Sequence, residues 1–415
     1  MEDAPRRSFL TESLHKSTGT LYFRHAKRCP AVYMITRIFF LLATLLLLPA
    51  WVIGRYGCKR CPAKRRQWMR WLLWLPNLVL VVLLATVALT ESYGESAALW
   101  KARLLTLTLL LGIPETLYAL LLPLARWRVG RWLQATVTLT VFCALLYGFT
   151  VGWQQLTVRN YTYASPDVPQ AFDGYRIVQI SDLHLGTFRG HEAFVKRIVD
   201  SVNAQNPDLI CLTGDLVNYQ PTEMIPFMRE LRELRARDGV LSIMGNHDYL
   251  GYFHWRSPEE QQTAIAELQA SQRTLGWHLL MNSHRRIRRA QDSIAVIGLE
   301  NDGPPRFPAL ANIRRATAGL DTDCFRIILE HDPSYWRRAN PQAGLMLSGH
   351  THGMQLRLFG WSPAAWFYPE WSGTYQDTRY PSTLYVSTGV GSVLLPFRFG
   401  AWPEINVITL RRHAL

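Results

Sequence analysis

A chain of 415 residues with 48% hydrophobic side chains is long enough for two or three domains. Its formal charge of +14 would suit a nucleic-acid partner, but the excess is not spread evenly. Residues 1–158 carry 19 Lys or Arg against 6 acidic residues, whereas 159–415 carry 26 against 25, so the surplus borders apolar segments and argues for juxtamembrane anchoring rather than a nucleic-acid surface.

Residues 1–33 are polar, mixed and without strong periodicity. They read either as a disordered tail or as an over-long start, because Met34 stands directly before the first apolar segment. Apolar segments follow at 35–53, 71–90, 104–124 and 132–153, each close to the ~20 residues a helix needs to cross a bilayer. A cleavable signal peptide would not be followed by three more such segments. They predict an all-α, four-helix transmembrane domain over 34–154 and an integral, multi-pass membrane protein in contact with the lipid bilayer.

Arg55, Lys59, Arg60, Lys64, Arg65, Arg66 and Arg70 fill the first loop, and Arg126, Arg128 and Arg131 the third. The second holds Lys101 and Arg103, opposed by Glu91 and Glu95. Basic loops mark the cytoplasmic side, so the second loop and everything after the fourth segment are expected outside a bacterial cell membrane. Lys16, Arg24, Lys27 and Arg28 oppose that assignment if they are translated, because four crossings bring the tail to the same side as the remainder of the chain. Glu115 is an ionisable group at membrane depth, which marks a functional or packing site, and bundling against a polar neighbour near Pro114 is the plainer expectation. Cys58 and Cys61 have the spacing of a redox or zinc pair with no second pair to match. Cys211 falls inside an expected strand and Cys324 just before another, so no disulfide framework is expected.

Residues 155–172, with Ser165-Pro166-Asp167 and Pro169, read as a linker. From 173 to 415 apolar strands alternate with helical patterns, at 191–204 and 224–237, as in an α/β layered domain. Later stretches, SIAVIGLE, FRIILE, GLMLSG, TLYVSTG and EINVITL, have few helices between them and predict a second sheet packed on the first.

The stretch YRIVQISDLHLG, residues 175–186, sets the recurring theme: an apolar run that stops at Asp182-Leu183-His184. Alternate residues of a strand share a face, so these two side chains are expected to share one ion. The pattern returns where PDLICLTGD ends in Asp215, GVLSIMGNHD in Asn246 and His247, FRIILEHD in His331, and GLMLSGHTHG in His350 and His352. Any one of these is accounted for by a strand cap or a turn; five in one chain are not.

In type, order and context these blocks (D-x-H, G-D, G-N-H-D, H, G-H-x-H) resemble the calcineurin-like metallophosphoesterase superfamily over about residues 170–412. YPEWSGTYQ, LYVSTGVGS and PFRFG resemble its membrane-tethered branch. The resemblance implies a two-sheet α/β/β/α sandwich holding two divalent metal ions, with Asp182, His184 and His352 on one, Asn246, His331 and His350 on the other, and Asp215 bridging them. Carboxylate, imidazole and amide ligands suit Mn, Fe, Zn or a similar ion. Water activated between the ions is then the expected nucleophile. His247 is expected to contact the phosphoryl group and protonate the leaving oxygen, while Asp248 either orients His247 or another neighbour, or serves a turn.

Aromatic residues crowd 354–375 and 393–402, as an interfacial belt, an acyl pocket or ordinary packing. With four membrane segments beside the site, a phosphodiester or pyrophosphate of a lipid-linked or membrane-proximal substrate is the first expectation. A phosphomonoesterase or protein phosphatase is the second. A non-catalytic membrane sensor is the third, and the complete ligand set argues against it. Arg285, Arg286, Arg288 and Arg289 read as a solvated loop between two strands or as an anion-steering cluster.

Overall fold

A computed structural model describes residues 29–57, 62–89, 95–305, 307–321, 323–339, 344–377 and 382–413. Most of the tail at 1–33, and the whole Cys58–Cys61 pair, lie outside the described residues.

Helices α1 (Cys29–Tyr56), α2 (Ala63–Leu89), α3 (Glu95–Leu121) and α4 (Arg128–Thr150) form the first layer. All four are long and apolar enough to cross a membrane. They outrun the apolar segments because charged and aromatic residues such as Arg65, Arg66 and Trp100 extend them at their ends. Helix α1 accordingly begins inside what was expected to be tail. Leu42, Leu46, Leu80, Leu84 and Leu104 knit α1, α2 and α3 together. Within that bundle Asn77 Nδ2 donates to both carboxylate oxygens of Glu115, at 3.2 and 3.0 Å, so the ionisable group finds a polar partner on α2.

The rest of the chain is a two-sheet α/β sandwich. The first sheet runs β1 (Thr157–Ser165), β12 (Glu404–Arg412), β2 (Arg176–Ile180), β3 (Leu209–Thr213), β4 (Val240–Ile243), β5 (His278–Leu279). The second runs β10 (Gly373–Gln376), β11 (Thr383–Val386), β9 (Leu345–Ser348), β8 (Phe325–Leu329), β7 (Asp292–Gly298), β6 (Ser283–Arg289). The period of two divides each strand between layers. Ile177, Leu209 and Leu241 meet Ile294, Ile327 and Leu345 between the sheets. Val178, Ile210 and Val240 face outward to helices α5 (Glu192–Asn203) and α6 (Pro258–Thr274). Ile297, Ile328 and Met346 face outward on the other side, under Tyr335 and Trp336.

Four details differ from expectation. The segment read as linker, 155–172, contains β1, which pairs in parallel with β12 along its whole length; its mixed sequence, TVRNYTYAS, suits an edge strand with solvent on one side. EINVITL, expected in the second sheet, is β12 and lies between β1 and β2 in the first. The helix expected at 224–237 shrinks to Met228–Leu231 after a 3-10 stretch. There the Asn203 side chain bonds Glu233 O and Arg235 N, and Asp238 N reaches Asp208 O, drawing the segment onto the α5–β3 loop. Finally, Arg285, Arg286, Arg288 and Arg289 stand on β6, at the edge of the second sheet. Charge along an exposed edge discourages pairing with another chain, and Arg289 is tied down to Asp208 at 2.8 Å.

Six residues, 151–156, separate α4 from β1. The join is braced by the 393–402 loop. Arg398 N donates to Gly148 O at 3.2 Å, Phe397 packs on Phe149 with ring centres 4.8 Å apart, and Tyr147 meets Phe399 and Trp402. A Cβ at Gly148 would overlap the Phe397 ring, and one at Gly152 the Arg398 carbonyl, so both glycines permit the close approach.

Candidate metal centre

Strand β2 stops at Ile180, β3 at Thr213, β8 at Leu329 and β9 at Ser348. Asp182, Asp215, His331 and His350 each lie two residues beyond such an end, and Asn246 three beyond the end of β4. The shared face of a strand therefore does not bring Asp182 and His184 together, since neither is on β2. Their convergence comes from left-handed backbone: φ is 54° at Asp182, 44° at His184, 55° at Asp215, 71° at His350 and 51° at His352. Each such non-glycine residue costs about 1–3 kcal/mol, which the surrounding close packing must offset. Gly349 and Gly389 pack against Asp182, and Gly245 against Asp215, where any Cβ would collide.

Atoms suited to ligation gather in overlapping groups: Asp182, His184 and His352; Asp215, His331 and His350; and His184, Asp215 and His247. His352 Nε2 lies 3.2 Å from Asp182 Oδ1 and 3.1 Å from His184 Nε2. Asp215 Oδ2 lies 3.5 Å from His184 Nε2 and 3.1 Å from His331 Nε2, midway between the groups. Asn246 Oδ1 stands 2.8 Å from His350 Nδ1. The structure thus brings all seven expected ligands into one buried cluster.

Donor types and an orphaned atom fit cations. His184 Nδ1 is buried without a hydrogen-bond partner, while His331 Nε2 faces the Asp215 carboxylate at 3.1 Å. Burial alone would raise both carboxyls, yet the imidazoles around them, His352 for Asp182 and His331 with His247 for Asp215, hold both below the usual carboxylate range. Burial pushes the rings of His184 and His350 down, favouring the neutral form that ligates. At His331 burial also pushes down, but Asp215 overrides it and lifts this ring well above its ordinary value.

His247 sits at the edge of the cluster, its ring 4.8 Å from that of His184. Its Nδ1 is 2.9 Å from Asn218 O, its N–H donates to Asp215 Oδ1 at 2.8 Å, and Tyr252 stacks on the ring at 4.2 Å. Asp248 does not orient this imidazole. Its carboxylate accepts the backbone N–H groups of Asp215, Leu216, Val217 and Gly245, clamping the loops after β3 and β4 together.

Several contributors escaped the sequence reading. Glu223 collects the N–H groups of Gly186, Asn218, Tyr219 and Gln220, fastening the loop after β2 to the loop after β3. Tyr368 OH is 2.7 Å from His350 Nε2. Arg398, fully buried, places its guanidinium 3.2 Å from His352 Nδ1 and donates to Thr388 O, Gly391 O and Ala401 O. Tyr368 opens the YPEWSGTYQ stretch and Arg398 stands in PFRFG, but contacts this long in range are not written in the local sequence.

A family model described as calcineurin-like phosphoesterase matches residues 175–354. An uncharacterized metallophosphoesterase of Bacillus subtilis, YkuE, is 32% identical over 264 residues, covering 61% of this chain and 84% of that protein. A transmembrane protein with metallophosphoesterase domain from Danio rerio is 29% identical over 299 residues, covering 68% of this chain and 64% of that one. Among solved structures, a phosphopantetheinyl hydrolase from Mycobacterium tuberculosis aligns with a TM-score of 0.33 at 12% identity, over 53% of this chain and 90% of the other.

Proposed function

The chain belongs to the calcineurin-like metallophosphoesterase family, and we propose that it is a membrane-anchored, dinuclear metal-dependent phosphoesterase that cleaves a phosphodiester or pyrophosphate bond of a lipid-linked or membrane-proximal substrate. The observation that carries this reading is the gathering of seven ligand-type side chains beyond five strand ends, on the scaffold that is braced to α4.

On this reading Asp182, His184 and His352 hold one ion, Asn246, His331 and His350 the other, and Asp215 bridges; the donor set suits Mn, Fe or Zn. Such ions supply activated water and neutralise charge on the attacking and leaving oxygens. His247 has the proton-transfer task. With Nδ1 engaged by Asn218 O, its Nε2 is the nitrogen left to exchange a proton with a leaving oxygen. Tyr252 against its face and the Asp215 contact at its backbone hold the ring in place before substrate arrives.

Segments 34–154 serve as the anchor, with the basic first and third loops on the cytoplasmic side and the metal centre outside. Phe359, Trp361, Trp366 and Phe367 are exposed on a loop whose Arg357 N–H bonds Phe399 O, beside the α4 brace. Exposed aromatic groups at that level suit a headgroup interface.

The test is release of nitrophenol from bis-p-nitrophenyl phosphate and p-nitrophenyl phosphate by detergent-purified protein, with Mn or with EDTA, beside the Asp215→Asn variant. Mn-dependent diester cleavage lost in the variant is the expected result. Equal turnover in EDTA, or by Asp215→Asn, would overturn the two-metal assignment, and turnover of the monoester alone would overturn the diester preference.

A further inference from the structure

A cavity of about 690 Å³ opens where the membrane helices meet the sandwich. Its volume lies within the ~300–1,000 Å³ typical of small-ligand sites. One wall is the first turns of α3 and the last turn of α4, including Leu99, Leu107 and Phe149. The opposite wall is Gly186, Asn218 and their neighbours on the loops after β2 and β3. Those loops are the ones that carry His184 and, through Asn218 O, hold the imidazole of His247. Apolar groups predominate on both walls, with polar groups on each: Arg103 and Thr106 stand beside Leu99 and Leu107 on α3, and Asn218 beside Phe227 and Leu394 on the sandwich.

Its depth has a direction. From Leu99 to Leu107 a helix rises about 12 Å, and α3 starts, as α4 ends, on the side of the bundle where the sandwich sits. The α3 wall, with Arg103 among its apolar residues, consequently runs from the sandwich into the nearer half of the membrane-crossing segments. A hydrocarbon chain on a phosphate at the histidine cluster would pass Gly186 and Asn218 to lie beside Leu99, Leu107 and Phe149, sharing the cavity with Arg103.

We propose, building on the phosphoesterase reading above, that this cavity holds a hydrocarbon chain of a lipid phosphoester, admitted sideways from the leaflet next to the sandwich, and that the cavity rather than the metal centre selects lipid over soluble phosphoesters. The reaction is hydrolysis: water adds to phosphorus, the P–O bond to the leaving group breaks, and the leaving oxygen takes a proton.

Two substrates that differ only in chain, methyl p-nitrophenyl phosphate and hexadecyl p-nitrophenyl phosphate, are offered with Mn to protein in nanodiscs. Ala102, on α3, lines the cavity and touches none of the candidate ligands, so Ala102→Trp fills it from the membrane side. The wild type should prefer the hexadecyl diester by at least about tenfold in kcat/KM, the scale on which apolar pockets discriminate. Ala102→Trp should abolish the preference and leave the methyl diester within about twofold. A preference that survives the substitution is bilayer partitioning and overturns the proposal, as does turnover of the methyl diester with no preference at all. Absence of Mn-dependent release from either substrate sinks the phosphoesterase reading instead. In that event, and should Ala102→Trp fail to fold, cross-linking of EDTA-treated wild type with a diazirine-bearing alkyl phosphodiester decides the matter. Label on 99–107 and 149–154 supports the cavity, and label elsewhere overturns it.

Discussion

Asp248→Asn is the sharpest test of how the centre is held. One carboxylate oxygen accepts from Leu216 N at 2.8 Å and Val217 N at 3.3 Å, the other from Asp215 N at 2.8 Å and Gly245 N at 2.9 Å. An amide keeps one oxygen and turns an NH2 towards the other pair, so two buried N–H groups lose their acceptor. Each orphaned donor costs about 1–3 kcal/mol, giving roughly 2–6 kcal/mol for the substitution. In a domain of this size a kilocalorie moves the midpoint by roughly 2–4 °C, so the apparent Tm should fall by roughly 4–24 °C. Dye-monitored thermal unfolding in detergent, with EDTA present so that no ion masks the loss, reads this directly. Asp200→Asn on the exposed face of α5 serves as control and should move Tm little. A midpoint for Asp248→Asn within about 2 °C of wild type would refute the clamp.

Three further outcomes are expected. His331 has a folded-state pKa raised well above 6.5 by Asp215, so in EDTA its contribution to stability is complete below about pH 6.5 and is lost as pH rises through the folded value. Ligation needs the unprotonated ring, so the Mn-induced rise in Tm should be larger at pH 8.5 than at pH 6, and equal rises would contradict the assignment. Gly148→Val should push into the Phe397 ring and cost about 1–3 kcal/mol by overpacking; adding Phe397→Ala should recover part of that loss in a thermal-unfolding double-mutant cycle, and strict additivity would refute the contact. Glu223→Gln should destabilise on the scale of Asp248→Asn, because it too faces four backbone N–H groups; wild-type melting would show that the loop after β2 is held some other way.

The strand-end residues were readable because each follows an uninterrupted apolar run, a local pattern. What that pattern misstates is the geometry. Strand alternation accounts for the layers at Ile177 and Val178, but it stops two residues short of Asp182, where left-handed turns take over and only the packing of Gly349 and Gly389 shows why. The edge strands β1 and β6 were missed for a related reason: half-exposed and rich in polar or basic residues, they resemble loops. Glu223 was invisible for want of any local signal, and Tyr368 and Arg398, though they stand in the YPEWSGTYQ and PFRFG stretches, gave no sign of their partners, since Arg398 meets His352 46 positions away and through tertiary folding alone.

The brace between α4 and the 393–402 loop has a consequence for kinetics. With six residues between helix and β1, and with Arg398 and Phe397 wedged against Gly148, the sandwich has little freedom to tilt or rise away from the helices. If those helices span a bilayer, the cluster of ligand-type residues rides at constant height and would meet a lipid substrate by diffusion in a plane. Turnover would then follow the mole fraction of substrate in the surface and fall when inert lipid dilutes it at unchanged bulk concentration, whereas soluble phosphoesters would obey ordinary volume concentration.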